Sequence, residues 1–285
     1  MINHLSIVGV GLIGASLALA LKKAGYCRRI TGVGRNAERL QAALKAGVLD
    51  DCQTDYEKGV LGADVVLLSV PLDSYVSVFE KLRGHIKKNA VMTDAGSAKR
   101  SVIDDAKNVF GEVPENFVPG HPIAGTERSG FEAGFAELYQ GRRVILTPLK
   151  VTDNAAVSVV QKMWEAAGAI VEATDVDHHD QVLAATSHLP HLLAFALVDC
   201  LARHDDVEEI FRFAAGGFRD FTRIAAADTV MWRDISLRNR NAILAMMQKY
   251  RSELEELYHA IEAQDEDSIT EIFARAKAAR DKFIY

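Results

Sequence analysis

His121 stands between Gly120 and Pro122, just after the apolar run Asn116-Phe117-Val118. An imidazole with an ordinary pKa near 6.5 is the side chain best suited to take a proton from a hydroxyl near neutral pH. The glycine and proline on either side of it imply a rigid turn. A second polar segment, Thr93-Asp94-Ala95-Gly96-Ser97-Ala98-Lys99, follows another apolar run, and the Ser97 hydroxyl is a candidate to share a hydrogen bond to the same substrate oxygen. The pair therefore fits removal of a hydroxyl proton, with the histidine as base and the serine as its helper.

Such a base is useful in alcohol oxidation if a hydride acceptor lies nearby, and the start of the chain supplies the means to hold one. Leu5-Ser6-Ile7-Val8 runs into Gly9-Val10-Gly11-Leu12-Ile13-Gly14 and then into Ala15-Ser16-Leu17-Ala18-Leu19-Ala20-Leu21, a strand, a glycine turn and a helix. In a dinucleotide-binding unit the first glycine makes the tight turn and the second lets the backbone approach a pyrophosphate. The third lets the helix pack on the strand, and the diphosphate sits at the positive helix N-terminus. Gly9, Gly11, Leu12, Ile13 and Gly14 are thus candidate cofactor contacts, joined by Ser69, Val70 and Pro71 beyond a later strand. At the end of the second strand, where an acid would hold the ribose hydroxyls of NAD, the chain has Gly34-Arg35-Asn36. Arg35, with Asn36 beside it, favours NADP over NAD, although an arginine there can also stack on adenine.

These residues must be positioned by a sheet. Runs at 30–33, 64–70, 90–94, 116–118, 143–147 and 169–172 alternate with helical stretches, which predicts a doubly wound, mostly parallel sheet. Ligands bind such sheets at the carboxyl ends of the strands, where Pro71, Gly96 and Pro122 fall. From about Asp175 the strands stop and helical apolar spacing takes over, as in 192–202 and 241–261. The expected division is a dinucleotide-binding domain over 1–173 and an all-helical domain over 174–285. A net charge of −6 lacks the basic bias of a nucleic-acid binder. Cys27, Cys52 and Cys200 are too scattered for a disulfide framework, which fits a reducing cytoplasm. No secretory leader and no run of about 18 apolar residues is read, so no membrane role is expected.

His178, His179, His188 and His191 invite a metal reading, but no ligand set of recognisable identity and spacing accompanies them, and no metal is expected. The run Asp175 to Asp180 reads as a solvated helix start.

Several longer segments in order, GVGLIGAS, TDAGSAK, GHPIAGTERSG, SHLPHLLAFAL and AAGGFRDFTRIAAADTVMW, make the chain resemble the prephenate and arogenate dehydrogenases of tyrosine biosynthesis over most of its length. The resemblance implies a Rossmann-type N-terminal domain and a helical domain that forms a homodimer, with Trp232 near the subunit contact. It implies NAD(P)-dependent oxidation at C4 of a cyclohexadienol with loss of the ring carboxyl as carbon dioxide. His121 would accept the C4 hydroxyl proton, Ser97 would assist, and Glu127 would shape the pocket beside Thr126. His191 would face the substrate, and Arg223 would bind a substrate carboxylate, supported by Asp220 three residues earlier and by the glycine turn at Gly216. Bidentate arginine suits a dianionic substrate on an acidic protein. The residues alone leave two other readings open: a non-catalytic NAD(P)-sensing protein and a β-hydroxyacid dehydrogenase-like enzyme.

Overall fold

The structure is a computed structural model and describes residues 1–126 and 128–283. Strands β1 (Ile2–Val8), β2 (Cys27–Val33), β3 (Asp51–Gln53), β4 (Val65–Leu68), β5 (Val91–Asp94) and β6 (Phe117–Val118) form one sheet in the order β3-β2-β1-β4-β5-β6. Every pairing in it is parallel. The order reverses between β1 and β4, and the crevice beyond their carboxyl ends is where such a sheet takes a ligand. Helices α1 (Leu12–Lys23), α2 (Ala37–Lys45), α3 (Tyr56–Val60), α4 (Tyr75–Leu82), α5 (Arg100–Phe110) and α6 (Asn154–Ala166) accompany the strands.

Apart from the edge strand β3, whose Asp51-Cys52-Gln53 is half-buried, the strands are largely buried on both faces, which is why they read as apolar runs. Alternation still divides them. Leu5, Ile7 and Leu67 pack with Leu17, Leu21 and Trp164 on one side. Val8, Val66 and Leu68 pack with Phe79, Leu82 and Phe117 on the other.

The predicted strands at 143–147 and 169–172 are present but belong to a second sheet. The chain leaves the first sheet at Pro119, and β7 (Gly120–Pro122), β8 (Arg143–Leu146) and β9 (Ile170–Ala173) form a three-stranded sheet in that order. β7 runs antiparallel to β8, with His121 opposite Ile145, and β8 runs parallel to β9. His121 is therefore the middle residue of a short strand rather than part of a turn beyond one.

The C-terminal part is helical: α7 (Val176–Leu183), α8 (Leu189–Ala202), α9 (Val207–Arg212), α10 (Gly216–Thr222), α11 (Thr229–Arg238), α12 (Arg240–Glu262) and α13 (Glu266–Phe283). Asp175 caps α7 by accepting a hydrogen bond from the His178 amide at 2.8 Å. A π-turn over Ala184–His188 joins α7 to α8, closed by the Leu189 amide donating to the Ala184 carbonyl. It lies just ahead of Pro190, whose missing N–H breaks the regular ladder. The continuous 27-residue helix Val176–Ala202 contains an 18-residue stretch of mean hydropathy 1.4 and is, by length and composition alone, long and apolar enough to cross a membrane. Its first turns are instead tied to the sheet part, because the Lys99 and Arg100 amides at the start of α5 donate to the Asp180 carboxylate at 2.8 and 2.9 Å.

Candidate active site

The glycine turn has the geometry a dinucleotide requires. Gly9 has φ +93°, and a Cβ there would lie 2.5 Å from the Ser69 carbonyl oxygen; one on Gly14 would lie 2.7 Å from the Gly9 carbonyl oxygen. At Gly11 the space around the Cα is open, and Gly11, as the N-cap residue of α1, brings no side chain to that N-terminus. Leu12, Ile13 and Gly14 form the first turn of α1, whose amide hydrogens have no partner within the helix. This cradle fits a pyrophosphate. Ser69 ties the two strands at the crevice: its amide donates to the Val8 carbonyl at 2.8 Å and its hydroxyl to the Gly9 carbonyl at 2.6 Å. Val70 and Pro71 follow it at the same edge. Asn36 is occupied as the α2 cap, accepting from the Arg39 amide at 2.9 Å, whereas Arg35 is exposed at the end of β2, its positive charge felt by the Tyr56 hydroxyl.

His121 is buried beyond the carboxyl end of β5, and its Nδ1 lies 3.0 Å from His179 Nε2. His179 Nδ1 in turn lies 2.8 Å from Asp180 Oδ1. The chain of contacts fixes every tautomer. A carboxylate only accepts, so His179 carries its proton on Nδ1 and accepts at Nε2; His121 must then donate from Nδ1, which leaves Nε2 as its basic nitrogen. Burial holds the His121 pKa well below the ordinary 6.5, reinforced by His179, Lys99 and His188. Burial likewise lowers His179 despite Asp180. For Asp180 burial acts upward, but the hydrogen bonds from His179 and from the Lys99 and Arg100 amides outweigh it and hold the carboxyl below its usual range. The result is a neutral imidazole with an anchored ring.

The run at 175–180 is therefore not a solvated helix start. Asp177 and His178 are exposed, but His179 is 1% exposed and Asp180 4% exposed, because α7 turns that face onto β7 and the start of α5. Sequence reasoning weighed His179 only as a metal ligand and missed its contact with His121, and it missed Asp180 and Asn239, whose amide donates to the Asp180 carbonyl at 2.9 Å and to His188 Nδ1 at 3.1 Å.

His188 is fully buried, and burial pulls its pKa down to about 4, with Asp180 opposing and His179 and His191 adding to the shift. The folded protein keeps this ring neutral to about pH 4, whereas the unfolded chain protonates it near 6.5. Between those values the unfolded state binds more protons, so the contribution is complete above 6.5 and is lost as pH falls. Denaturant unfolding at about pH 7 and about pH 4.5 should differ by roughly 2 to 3 kcal/mol from this residue alone. A His188→Gln variant should lose that part of the slope, and parallel slopes would contradict the assignment.

His191 stacks on Trp232 with ring centroids 3.8 Å apart and planes 19° apart, and its Nδ1 donates to the Ser187 carbonyl at 2.9 Å. That leaves Nε2 available to a ligand. Trp232 is buried here against Leu72 and Ile235. The turn Arg223–Ala226 packs against α8, which brings Arg223 to the helix that carries His191. Asp220 and Gly216 are exposed on α10 just before it. Ser97 is half-buried in the β5–α5 loop, and no hydrogen bond joins it to His121 among the described residues. Thr126 is exposed, its hydroxyl accepting from the Arg128 amide at 3.2 Å; Glu127 lies outside the described residues.

The sequence and the fold both have close counterparts. Residues 17–173 match the nucleotide-binding domain of prephenate dehydrogenase, and residues 175–275 match its dimerization domain. The cyclohexadienyl dehydrogenase of Zymomonas mobilis is 38% identical over 283 residues, covering 98% of this chain and 95% of that protein. The crystal structure of Aquifex aeolicus prephenate dehydrogenase in complex with hydroxyphenyl propionate and NAD+ superposes with a TM-score of 0.92 at 37% identity, covering 99% of this chain and 98% of that one. Synechocystis arogenate dehydrogenase superposes with a TM-score of 0.83 at 27% identity, over 99% of this chain and all of its own. With its glycine cradle, its buried histidine pair and both domain matches in sequence order, the chain belongs to the prephenate dehydrogenase family of enzymes.

Proposed function

We propose that the protein catalyses the NAD(P)-dependent oxidative decarboxylation of prephenate, arogenate or both, giving 4-hydroxyphenylpyruvate or tyrosine. The observation that carries this reading is the His121–His179–Asp180 chain, which sets a neutral base beside the dinucleotide crevice of a family member. A nicotinamide cofactor, when bound, supplies the acceptor for the hydride that leaves C4. His121 Nε2 takes the C4 hydroxyl proton as the carbon is oxidised, and Ser97 shares the hydrogen bond to that oxygen. Loss of the ring carboxyl as carbon dioxide leaves its bonding electrons in the ring, and His121 returns the proton to the phenol oxygen as aromaticity is reached. Arg223, with Asp220 and the turn at Gly216, holds a substrate carboxylate; His191, Thr126 and Glu127 complete the pocket.

Initial rates at 340 nm with prephenate and arogenate, each against NAD and NADP, test the proposal. Reduction in at least one pairing is expected, and silence in all four with cofactor still bound would overturn it.

Arg35 supports NADP as the preferred cofactor, since a guanidinium at this position can bind a 2′-phosphate in two places at once. Arg35→Ala should raise the KM for NADP about tenfold, ~1.4 kcal/mol, and leave that for NAD unchanged. Equal change for both would assign the side chain to adenine stacking instead.

The division at 173/174 follows from the change from strands to helices, and the helical part is the surface for a homodimer. Leu197, Phe213, Leu244, Met247, Leu254 and Tyr258 are exposed there, an apolar area that a second copy would cover. Three unpaired cysteines fit a reducing cytoplasmic setting.

A further inference from the structure

We infer that Lys99 and Asp94 are positioning residues that hold His121 by its backbone and by its ring together. The inference rests on His121 being the base and identifies what keeps it in place.

Lys99 and Asp94 are both 0% exposed at the side chain, with Lys99 Nζ 2.5 Å from Asp94 Oδ2. The pair grips the two peptide groups that precede His121. Lys99 Nζ donates to the Gly120 carbonyl at 2.6 Å, and the Gly120 amide donates to Asp94 Oδ1 at 3.0 Å. Asp94 Oδ2 also accepts from the Gly96 amide at 2.8 Å and from the Tyr75 hydroxyl at 3.0 Å, so both carboxylate oxygens are used. The carboxylate is thus fixed from β5, α4 and the β5–α5 loop before it touches Gly120.

Lys99 reaches the same histidine by a second route. Its own amide donates to Asp180 Oδ1, the oxygen that orients His179, which orients the His121 ring. A closed circuit results: His121 ring, His179, Asp180, Lys99 backbone, Lys99 ammonium, Gly120 carbonyl and back to His121. Rotation of the ring and displacement of its strand are blocked by one residue. A buried ion pair is an inefficient way to gain stability, since a well-packed apolar pair of equal volume serves as well or better, whereas its directional hydrogen bonds fix geometry. The Lys99 charge also faces the imidazole and helps keep it neutral, with burial, His179 and His188 acting in the same direction.

The test is the double variant Asp94→Asn/Lys99→Met, which leaves no lone buried charge, with Asp94→Asn/Lys99→Gln as a second, equally uncharged pair that can still hydrogen-bond if the first does not fold. Misplacing a reacting group by about 1 Å costs on the order of a hundredfold in rate. The folded variant should lose about that factor in kcat, with substrate KM and cofactor affinity within about threefold of wild type. The acid limb of its kcat/KM profile should move to higher pH, because a cation that disfavours protonated His121 is gone. A folded variant with wild-type kcat and an unmoved acid limb would overturn the inference, as would a loss of kcat, KM and cofactor affinity in step with melting temperature. Wild-type protein that turns over no pairing would overturn the dehydrogenase reading itself, and the positioning role with it.

Discussion

His121→Asn should lower kcat by about a thousandfold while cofactor affinity stays within about twofold of wild type. Asparagine is smaller than histidine, but its side-chain amide nitrogen can take the place of Nδ1 and keep the hydrogen bond toward His179 Nε2, 3.0 Å from the wild-type ring, so the strand Gly120–Pro122 is not expected to move. What it lacks is a basic nitrogen, and a positioned general base contributes about 10² to 10⁴ in rate. The cradle at Gly9, Gly11 and Gly14 lies on another loop and is untouched. Calorimetric titration with NAD and NADP, paired with turnover at 340 nm, separates the two effects. Loss of cofactor binding together with turnover would show that His121 supports the fold rather than the proton transfer.

Gly9→Ala should damage both stability and cofactor affinity. At φ +93° an L side chain is strained wherever it points, at about 1 to 3 kcal/mol. The added carbon would also lie 2.5 Å from the Ser69 carbonyl oxygen and 2.8 Å from Val70 Cγ1, and the first of these is backbone that cannot rotate away. Relief requires β1 and β4 to separate at the crevice, which breaks the 2.6 Å bond from Ser69 to the Gly9 carbonyl. A loss of roughly 3 kcal/mol in unfolding free energy and at least a tenfold rise in cofactor Kd are expected. A melting temperature and Kd equal to wild type would contradict the close approach at Gly9.

The cradle was legible in the sequence because each of its requirements is local: a positive φ at Gly9, a close contact at Gly14, open space at Gly11. Five of the six strands of the main sheet were legible for a related reason, since burial leaves nearly unbroken apolar runs; the edge strand β3 was missed, because its Asp51-Cys52-Gln53 is short, polar and only half-buried. The change of sheet at Pro119 was not legible, because β6 and β7 hold two and three residues, too few to show a period or a pairing partner. His121 could be singled out by its glycine and proline neighbours. His179 could not, because it gains its meaning from a contact 58 residues away in the chain, and Asp180 from contacts 80 and 81 residues away. A run such as Asp-Val-Asp-His-His-Asp has the composition of a wet helix start, and only the docking of α7 on α5 buries half of it. Lys99 was hidden for the opposite reason: lysine is almost never fully buried, so nothing in the chain marks this one as part of the core.

The central claim is that His121 is a buried, neutral base before substrate binds, and at saturating cofactor the pH dependence of kcat/KM reports the essential groups of that substrate-free form. With the pKa held below 6.5, the neutral form persists as pH falls, and activity is lost only when pH passes through the lowered value. The profile measured with the preferred substrate and saturating cofactor should stay level from neutrality down through pH 6.5 and bend below it, and His121→Asn should lack that limb at its much lower rate. An acid limb centred at or above 6.5, or one that survives in His121→Asn, would contradict the assignment of His121 as the base.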